Sequence, residues 1–245
     1  RRMVWLASSL MVFLGVFCIY FLFLISSLNS LNFLISSPHW GEGRVRGIKE
    51  NIMLSRIHGG NLAEMKEKYG GATKLIDFSA NINPFGPPAG VYEAIFANLS
   101  RVVHYPDLGY KELKQALSSY LGVEPENILL GNGSVELIYL LVNCSRPQRA
   151  LAGAPTFCEY ELAVKAGGGE VTYFELKKEQ NFSFPLRGVI DALPNVQMLF
   201  VGNPNNPTGN LIPRQELLKI IDVARSLGVI VIIDEAFIDF VERRS

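Results

Sequence analysis

Apolar residues along most of this chain fall into two recurring patterns. Short unbroken runs read as strands: "KLIDFSA" (Lys74 to Ala80), "NILLG" from Asn127, "RALAGA" from Arg149, "EVTYFEL", "MLFVG" (Met198 to Gly202) and "VIVIID", which ends at Asp234. Between them, apolar positions recur every three to four residues, which predicts helices over Val91 to Leu99, Ser134 to Asn143 and about Thr156 to Ala166. "GYKELKQALSSYLGV" is a further helix, with Leu113, Leu117, Tyr120 and Leu121 on one face and Gly122 at its stop. "IPRQELLKIIDVARSLG" is another, with Pro213 in its first turn. Continuous apolar strands separated by helices of this length predict an α/β domain with a mainly parallel sheet covered on both faces. Ligands of such sheets bind beyond the carboxyl ends of the strands, and the unusual polar residues of this chain all fall there.

The amino-terminal region has a different pattern. Val4 to Ile25 carries no charge over 22 residues, enough to span a bilayer where about 20 are needed, and Arg1 and Arg2 precede it. A signal anchor is one reading; a cleaved signal peptide fits less well, because the run is too long and no clean small-residue cleavage site follows. The other reading is that residues 1–52 are an extension foreign to the native protein, which would then begin at Met53. "SSPHWGEGRVRG" (Ser36 to Gly47) reads as a linker in either case. The expected organisation is therefore an apolar segment with linker or extension over 1–52, an arm over 53–90 and part of a large domain over 91–245.

Composition narrows the function classes. Lys and Arg (23) balance Asp and Glu (23), which argues against a nucleic-acid partner. The three cysteines, Cys18, Cys144 and Cys158, have no metal-ligand spacing, and their odd number suits a reducing compartment.

Four polar constellations carry candidate chemistry. "GNGS" from Gly131 leads into a helix whose first N–H groups lack partners, a geometry suited to phosphate; a tight turn capped by Ser134 would look the same. "GNPNNPTGN" (Gly202 to Asn210) follows a buried strand, and its prolines hold Asn203 and Asn206 in extended conformations on a stiff loop. Asp234 ends a buried strand, and no Lys or Arg follows until Arg243. A carboxylate there is costly unless a cation meets it, and a bound group with a protonated ring nitrogen would serve; capping of the next segment is the plainer reading. Phe157, beyond another strand end, reads equally as core packing.

Taken together, these segments resemble the class I and II aminotransferases of the fold type I pyridoxal-phosphate architecture, from about Met53 to Ser245. The pair "NPNNPTG" and, some thirty residues on, "VIIDEAF" is the specific part of the match. The resemblance implies the large domain of that fold, with the small carboxyl-terminal domain missing from this chain, and pyridoxal 5'-phosphate as cofactor. It assigns the cofactor phosphate to Gly133 and Ser134, ring stacking to Phe157, the phenolic oxygen to Asn206 and the pyridine nitrogen to Asp234. Tyr105, in "HYPD", resembles the tyrosine that reaches the cofactor phosphate of a neighbouring subunit, implying a homodimer.

Two members of the group compete. One is L-threonine-O-3-phosphate decarboxylase, of cobalamin biosynthesis; the other is histidinol-phosphate aminotransferase. "HGGN" (His58 to Asn61) and "DFSANINPFGPP" (Asp77 to Pro88) look like the decarboxylase's arm, and Phe237 stands where the aminotransferase has a tyrosine. By this resemblance His58, Gly59, Asn81 and Asn206 meet a phosphorylated amino-acid substrate, no metal is needed, and the enzyme is cytoplasmic. An anchor through residues 4–25 would instead make it a membrane-tethered relative without catalysis.

In the family the lysine that holds the cofactor covalently follows the "DEAF" strand in a Ser-x-x-Lys-like segment, which this sequence does not contain. Lys111, Lys114 and Lys219 fall on helices, and Lys177 and Lys178 form a charged pair that reads as solvated. The chain is thus expected to be an inactive amino-terminal fragment. Borohydride treatment with pyridoxal phosphate should leave no reduced adduct on any of these lysines, as peptide mass spectrometry would check.

Overall fold

A computed structural model of the chain describes residues 4–6, 60, 62–69 and 75–241. Five strands form one wholly parallel sheet: β1 (Val4–Leu6), β2 (Arg149–Ala154), β3 (Glu170–Glu175), β4 (Met198–Gly202) and β5 (Ile230–Asp234). Their spatial order is β1-β5-β4-β2-β3. The helices are α1 (Leu62–Lys68), α2 (Ala89–Asn98), α3 (Lys111–Leu121), α4 (Gly133–Ser145), α5 (Glu159–Ala166), α6 (Leu186–Ala192) and α7 (Arg214–Leu227). After β2 the chain adds β3 on one side, then returns to add β4 and β5 on the other. The direction of winding reverses between β2 and β4, the place where open α/β sheets leave a crevice at their strand ends.

Strand alternation sorts the side chains into two cores. Leu151, Leu199, Val201 and Ile233 point to one face, where they pack with Val189 of α6 and Leu217, Ile220, Ile221 and Ala224 of α7. Ala150, Ala152, Met198, Phe200 and Ile232 point to the other, against Ile138 and Val142 of α4 and Tyr160, Ala163 and Val164 of α5. The apolar runs needed no alternation in the sequence because both faces are covered.

Helix ends follow from local chemistry. Gly122 and Gly228 close α3 and α7 in the left-handed region (φ +67° and +71°), where a Cβ would be strained. The predicted α3 stop at Gly122 is thereby borne out, as are the strands over 149–154 and 198–202.

Several expectations fail. Lys74 lies outside the described residues, and Leu75 to Phe78 form no strand. There the Asp77 carboxylate accepts the Ser79 N–H (2.7 Å) and hydroxyl (2.5 Å), curling the backbone out of extension. "NILLG" is no strand either: Pro125–Asn127 makes a 3-10 turn, and Leu129 is left 60 % exposed without a ladder partner. Of the predicted α3 face, Leu117 is buried but Tyr120 is exposed, its hydroxyl 3.4 Å from Asp239. The helix expected from Thr156 starts at Glu159, because Thr156 bonds to a neighbouring loop. The short helices α1 and α6 were not anticipated.

Val4–Leu6, the first residues of the apolar run, form the edge strand β1, with Leu6 opposite Asp234, instead of the first turn of a spanning helix. The rest of that run, the linker over 36–47 and Met53 lie outside the described residues, within which no helix is long and apolar enough to cross a membrane.

Leu199 is fully buried in the α6/α7 core. Leu199→Ala should cost about 2–5 kcal/mol, read as a lowered urea midpoint with an unchanged slope.

Candidate active site

Asp234 owes its surroundings to register. It shares strand parity with Ile232, so its side chain turns to the α4/α5 face and is 4 % exposed. There Tyr160 of α5 donates its hydroxyl to Asp234 Oδ2 at 2.9 Å, while the Ala236 N–H donates to Oδ1 at 3.0 Å. Gly202 lies opposite Asp234 on β4; a Cβ there would press on Asn205, 3.2 Å from its Cα and Oδ1, and would meet the Tyr160 hydroxyl only at ordinary contact distance (3.5 Å). The Tyr160 ring is stacked on Phe200 (centroids 4.8 Å, 12°) and meets Phe157 edge-on (5.6 Å, 84°). Phe157 is half-buried beyond the end of β2.

The loop after β4 is stiffened from within. Asn203 continues the ladder, donating its N–H to the Asp234 carbonyl at 2.8 Å, and its Oδ1 accepts the Ile212 N–H at 2.7 Å. Asn205, buried, ties the loop to the one after β2: Oδ1 accepts the Thr156 hydroxyl (2.8 Å), and Nδ2 donates to the Pro155 carbonyl (3.1 Å) and the Thr208 hydroxyl (2.9 Å). These bonds bridge the crevice between β2 and β4. They leave the neighbouring Asn206 half-exposed on a rigid support.

Asn206 and Asn81 line one cavity of about 430 Å³, together with Ile82, Asn83, Pro84, Pro204, Asn205, Pro207, Gly209, Phe237 and Phe240. The structure thus brings together three residues singled out in distant parts of the sequence: Asn81, Asn206 and Phe237. No described lysine is among the lining residues.

Gly133 and Ser134 begin α4, on the sheet face that Asp234 enters. Gly133 has φ +85°, open to glycine, and its N–H is engaged by the Gly131 carbonyl at 3.0 Å; Ser134 is buried. The Glu136 carboxylate accepts both the backbone N–H and the side-chain amide of Asn132, so this turn already holds an anionic oxygen. Tyr105 is 98 % exposed and does not join the constellation. His58 and Gly59 lie outside the described residues.

Burial pushes the Asp234 carboxyl above its usual range, against the pull of the Tyr160 and Ala236 hydrogen bonds. Burial, then the neighbouring Asp234 and Asp239, raises Glu235 as well. Burial also raises the Tyr160 phenol well above the ordinary tyrosine value, with the Asp234 charge adding to it, so it stays a donor. No cation among the described residues offsets Asp234. A buried carboxylate held only by neutral donors, beside a half-open aromatic ring, fits a ligand that brings a protonated nitrogen of its own.

Sequence reasoning missed Tyr160 and Asn205. Tyr160 shares the inward face of α5 with Ala163 and Val164, so periodicity marks it as buried; only register shows which residue it meets.

The parallel sheet with helices on both faces is that of the fold type I pyridoxal-phosphate enzymes. Residues 73–245 match the family model described as aminotransferase class I and II, and the chain belongs to that family, whose cofactor is pyridoxal 5'-phosphate. It is 39 % identical over 191 residues to threonine-phosphate decarboxylase of Salmonella typhimurium, covering 77 % of this chain and 52 % of that protein. It is 42 % identical over 172 residues to a histidinol-phosphate aminotransferase of Desulfitobacterium hafniense, covering 67 % and 47 %. The solved histidinol-phosphate aminotransferase of Clostridium acetobutylicum aligns with a TM-score of 0.61 at 33 % identity, covering 68 % of this chain and 48 % of that one. The chain spans about half the length of the curated relatives it matches.

The raised Asp234 value has a consequence for stability. The folded chain binds this proton more tightly than the unfolded chain, so stability falls as pH rises through the ordinary carboxylate value of 3.8 towards the folded one. Asp234→Asn should therefore raise the melting temperature of the cofactor-free chain at neutral pH, by about 2–4 °C per kcal/mol gained. The gain should vanish below the ordinary carboxylate range, which thermal melts across pH would check.

Proposed function

We propose that this chain carries the cofactor-binding part of a cytoplasmic decarboxylase. Its reaction would convert L-threonine O-3-phosphate to (R)-1-amino-2-propanol O-2-phosphate and CO₂ in cobalamin biosynthesis. The observation that carries this reading is the cavity shared by Asn81, Asn206 and Phe237. An apolar ring stands where the aminotransferase pattern has a hydroxyl, beside the asparagine of an arm resembling the decarboxylase's. The match to a threonine-phosphate decarboxylase runs over 191 residues, against 172 for the aminotransferase, and supports the same choice.

When bound, pyridoxal phosphate supplies an electron-poor ring that takes up the electron pair released as the bond from Cα to the carboxylate breaks. In this reading Asp234 accepts a hydrogen bond from the protonated ring nitrogen and keeps the proton there. Asn206 donates its amide to the ring's phenolic oxygen, and Phe157 packs against the ring face. The backbone N–H groups of Gly133 and Ser134 turn towards the cofactor phosphate at the start of α4, which requires Gly133 to release the Gly131 carbonyl. Tyr105, from the second subunit of a homodimer, reaches the same phosphate; its near-complete exposure is in keeping with that role. The described lining of the cavity has no charged side chain, so the substrate phosphate needs a cation from elsewhere. His58 would supply it, with Gly59 and Asn81 completing the contact.

The second reading is histidinol-phosphate aminotransferase, favoured by the 42 % identity to the Desulfitobacterium hafniense enzyme. The two make opposite demands on the Cα substituents: a decarboxylase breaks the bond to carboxylate, an aminotransferase the bond to hydrogen. Full-length enzyme should release CO₂ from O-phosphothreonine without added 2-oxoacid. Amino transfer from histidinol phosphate to 2-oxoglutarate, without CO₂ release, would reverse the assignment.

A further inference from the structure

We infer that Tyr160 is a positioning residue for Asp234: its buried hydroxyl fixes the carboxylate at the end of β5 so that the unshared lone pairs remain available to a cationic ring. The inference deepens the cofactor reading above and rests on it for its purpose, though not for its geometry.

The geometry is restrictive. Tyr160 is 2 % exposed, and its ring is held on one side by stacking on Phe200 and on another by the edge contact with Phe157. The hydroxyl has no room to swing into solvent, and its 2.9 Å bond to Oδ2 is complemented by the Ala236 N–H on Oδ1. Each carboxylate oxygen therefore has one neutral donor and lone-pair capacity to spare.

A hydroxyl in this place does something a phenylalanine could not. Asp234 is buried without a cation among the described residues, and a donor to the ionised form opposes the desolvation that favours protonation. Other titratable groups nearby work the other way or are neutral to it. Glu235 and Asp239, downstream of β5, are like charges, as is the buried Glu159 beside Tyr160 in α5, which accepts the Tyr139 hydroxyl; β4 and the loop after it present only the neutral Gly202 and Asn203. Tyr160 also sits three residues beyond Phe157, which precedes α5, so a single segment sets both the half-buried aromatic and the carboxylate.

The test uses the 245-residue chain, with carbon-13 carboxyl resonances assigned by comparison with Asp234→Asn. Tyr160→Phe keeps the ring and removes only the oxygen. It should raise the titration midpoint of Asp234 by about one to two pH units, the worth of one hydrogen bond to a charged group. Phe200→Leu, which loosens the stacking but spares the hydroxyl, should lower the melting temperature and leave the midpoint in place. An unchanged midpoint in Tyr160→Phe, or an equal rise in Phe200→Leu, overturns the inference. Should Tyr160→Phe not fold, 3,5-difluorotyrosine incorporated at position 160 replaces it. As the stronger donor it should lower the midpoint, and no change would again be fatal.

Calorimetric binding of pyridoxamine 5'-phosphate, which needs no lysine, separates this from the cofactor reading. Asp234→Asn should abolish binding, and Tyr160→Phe should weaken it in the pH range between the two Asp234 midpoints. Undiminished binding by Asp234→Asn would sink the cofactor reading while leaving a shifted Asp234 midpoint to stand.

Discussion

A carboxylate kept ionisable in an apolar setting is the constraint around which this structure is arranged. Asp234 closes a strand whose other residues are aliphatic, and it enters the core between two helices instead of turning to water. Such a group is tolerated only where donors reach it. Tyr160 and the Ala236 N–H provide them. Burial still dominates the balance, so the site retains an appetite for a cation that the described residues do not provide.

The remainder of the architecture keeps that arrangement rigid. The reversal of winding between β2 and β4 opens a crevice, and Asn205 closes its rim by linking the loops that follow the two strands. A stiff rim is what allows Asn206 to be presented without conformational freedom to lose on binding. The alternation of strand side chains divides two cores between two helix pairs, and Phe157, just before the helix that buries Tyr160, packs against the same core. Packing, loop stiffness and the electrostatics of one carboxylate are consequently not separable features.

Family membership adds chemistry that the fold alone lacks, since one fold supports many reactions. A decarboxylase and an aminotransferase of this family can share the contacts to the cofactor and differ in how the substrate is turned. In the proposed reading the distinction rests on the lining of the cavity that Phe237 and Asn81 share.

Much of this was legible in the residues. Unbroken apolar runs and intervening amphipathic stretches determined a parallel α/β sheet, because burial on both faces requires that pattern. Asp234 at a strand end, by its desolvation cost, and the asparagine-proline loop, by its stiffness, pointed to the candidate site. The segments over 75–80 and 127–131 misled because apolar content resembles a strand whether or not a partner strand lies beside it, and in the first case Asp77 also curls the backbone. What the tertiary structure alone decided were contacts across long sequence separations: Tyr160 on Asp234, Asn205 on Pro155 and Thr156, and Asn81 beside Asn206. Periodicity states which way a side chain points. The group waiting there is set by the packing of separate elements, and a linear pattern does not encode it.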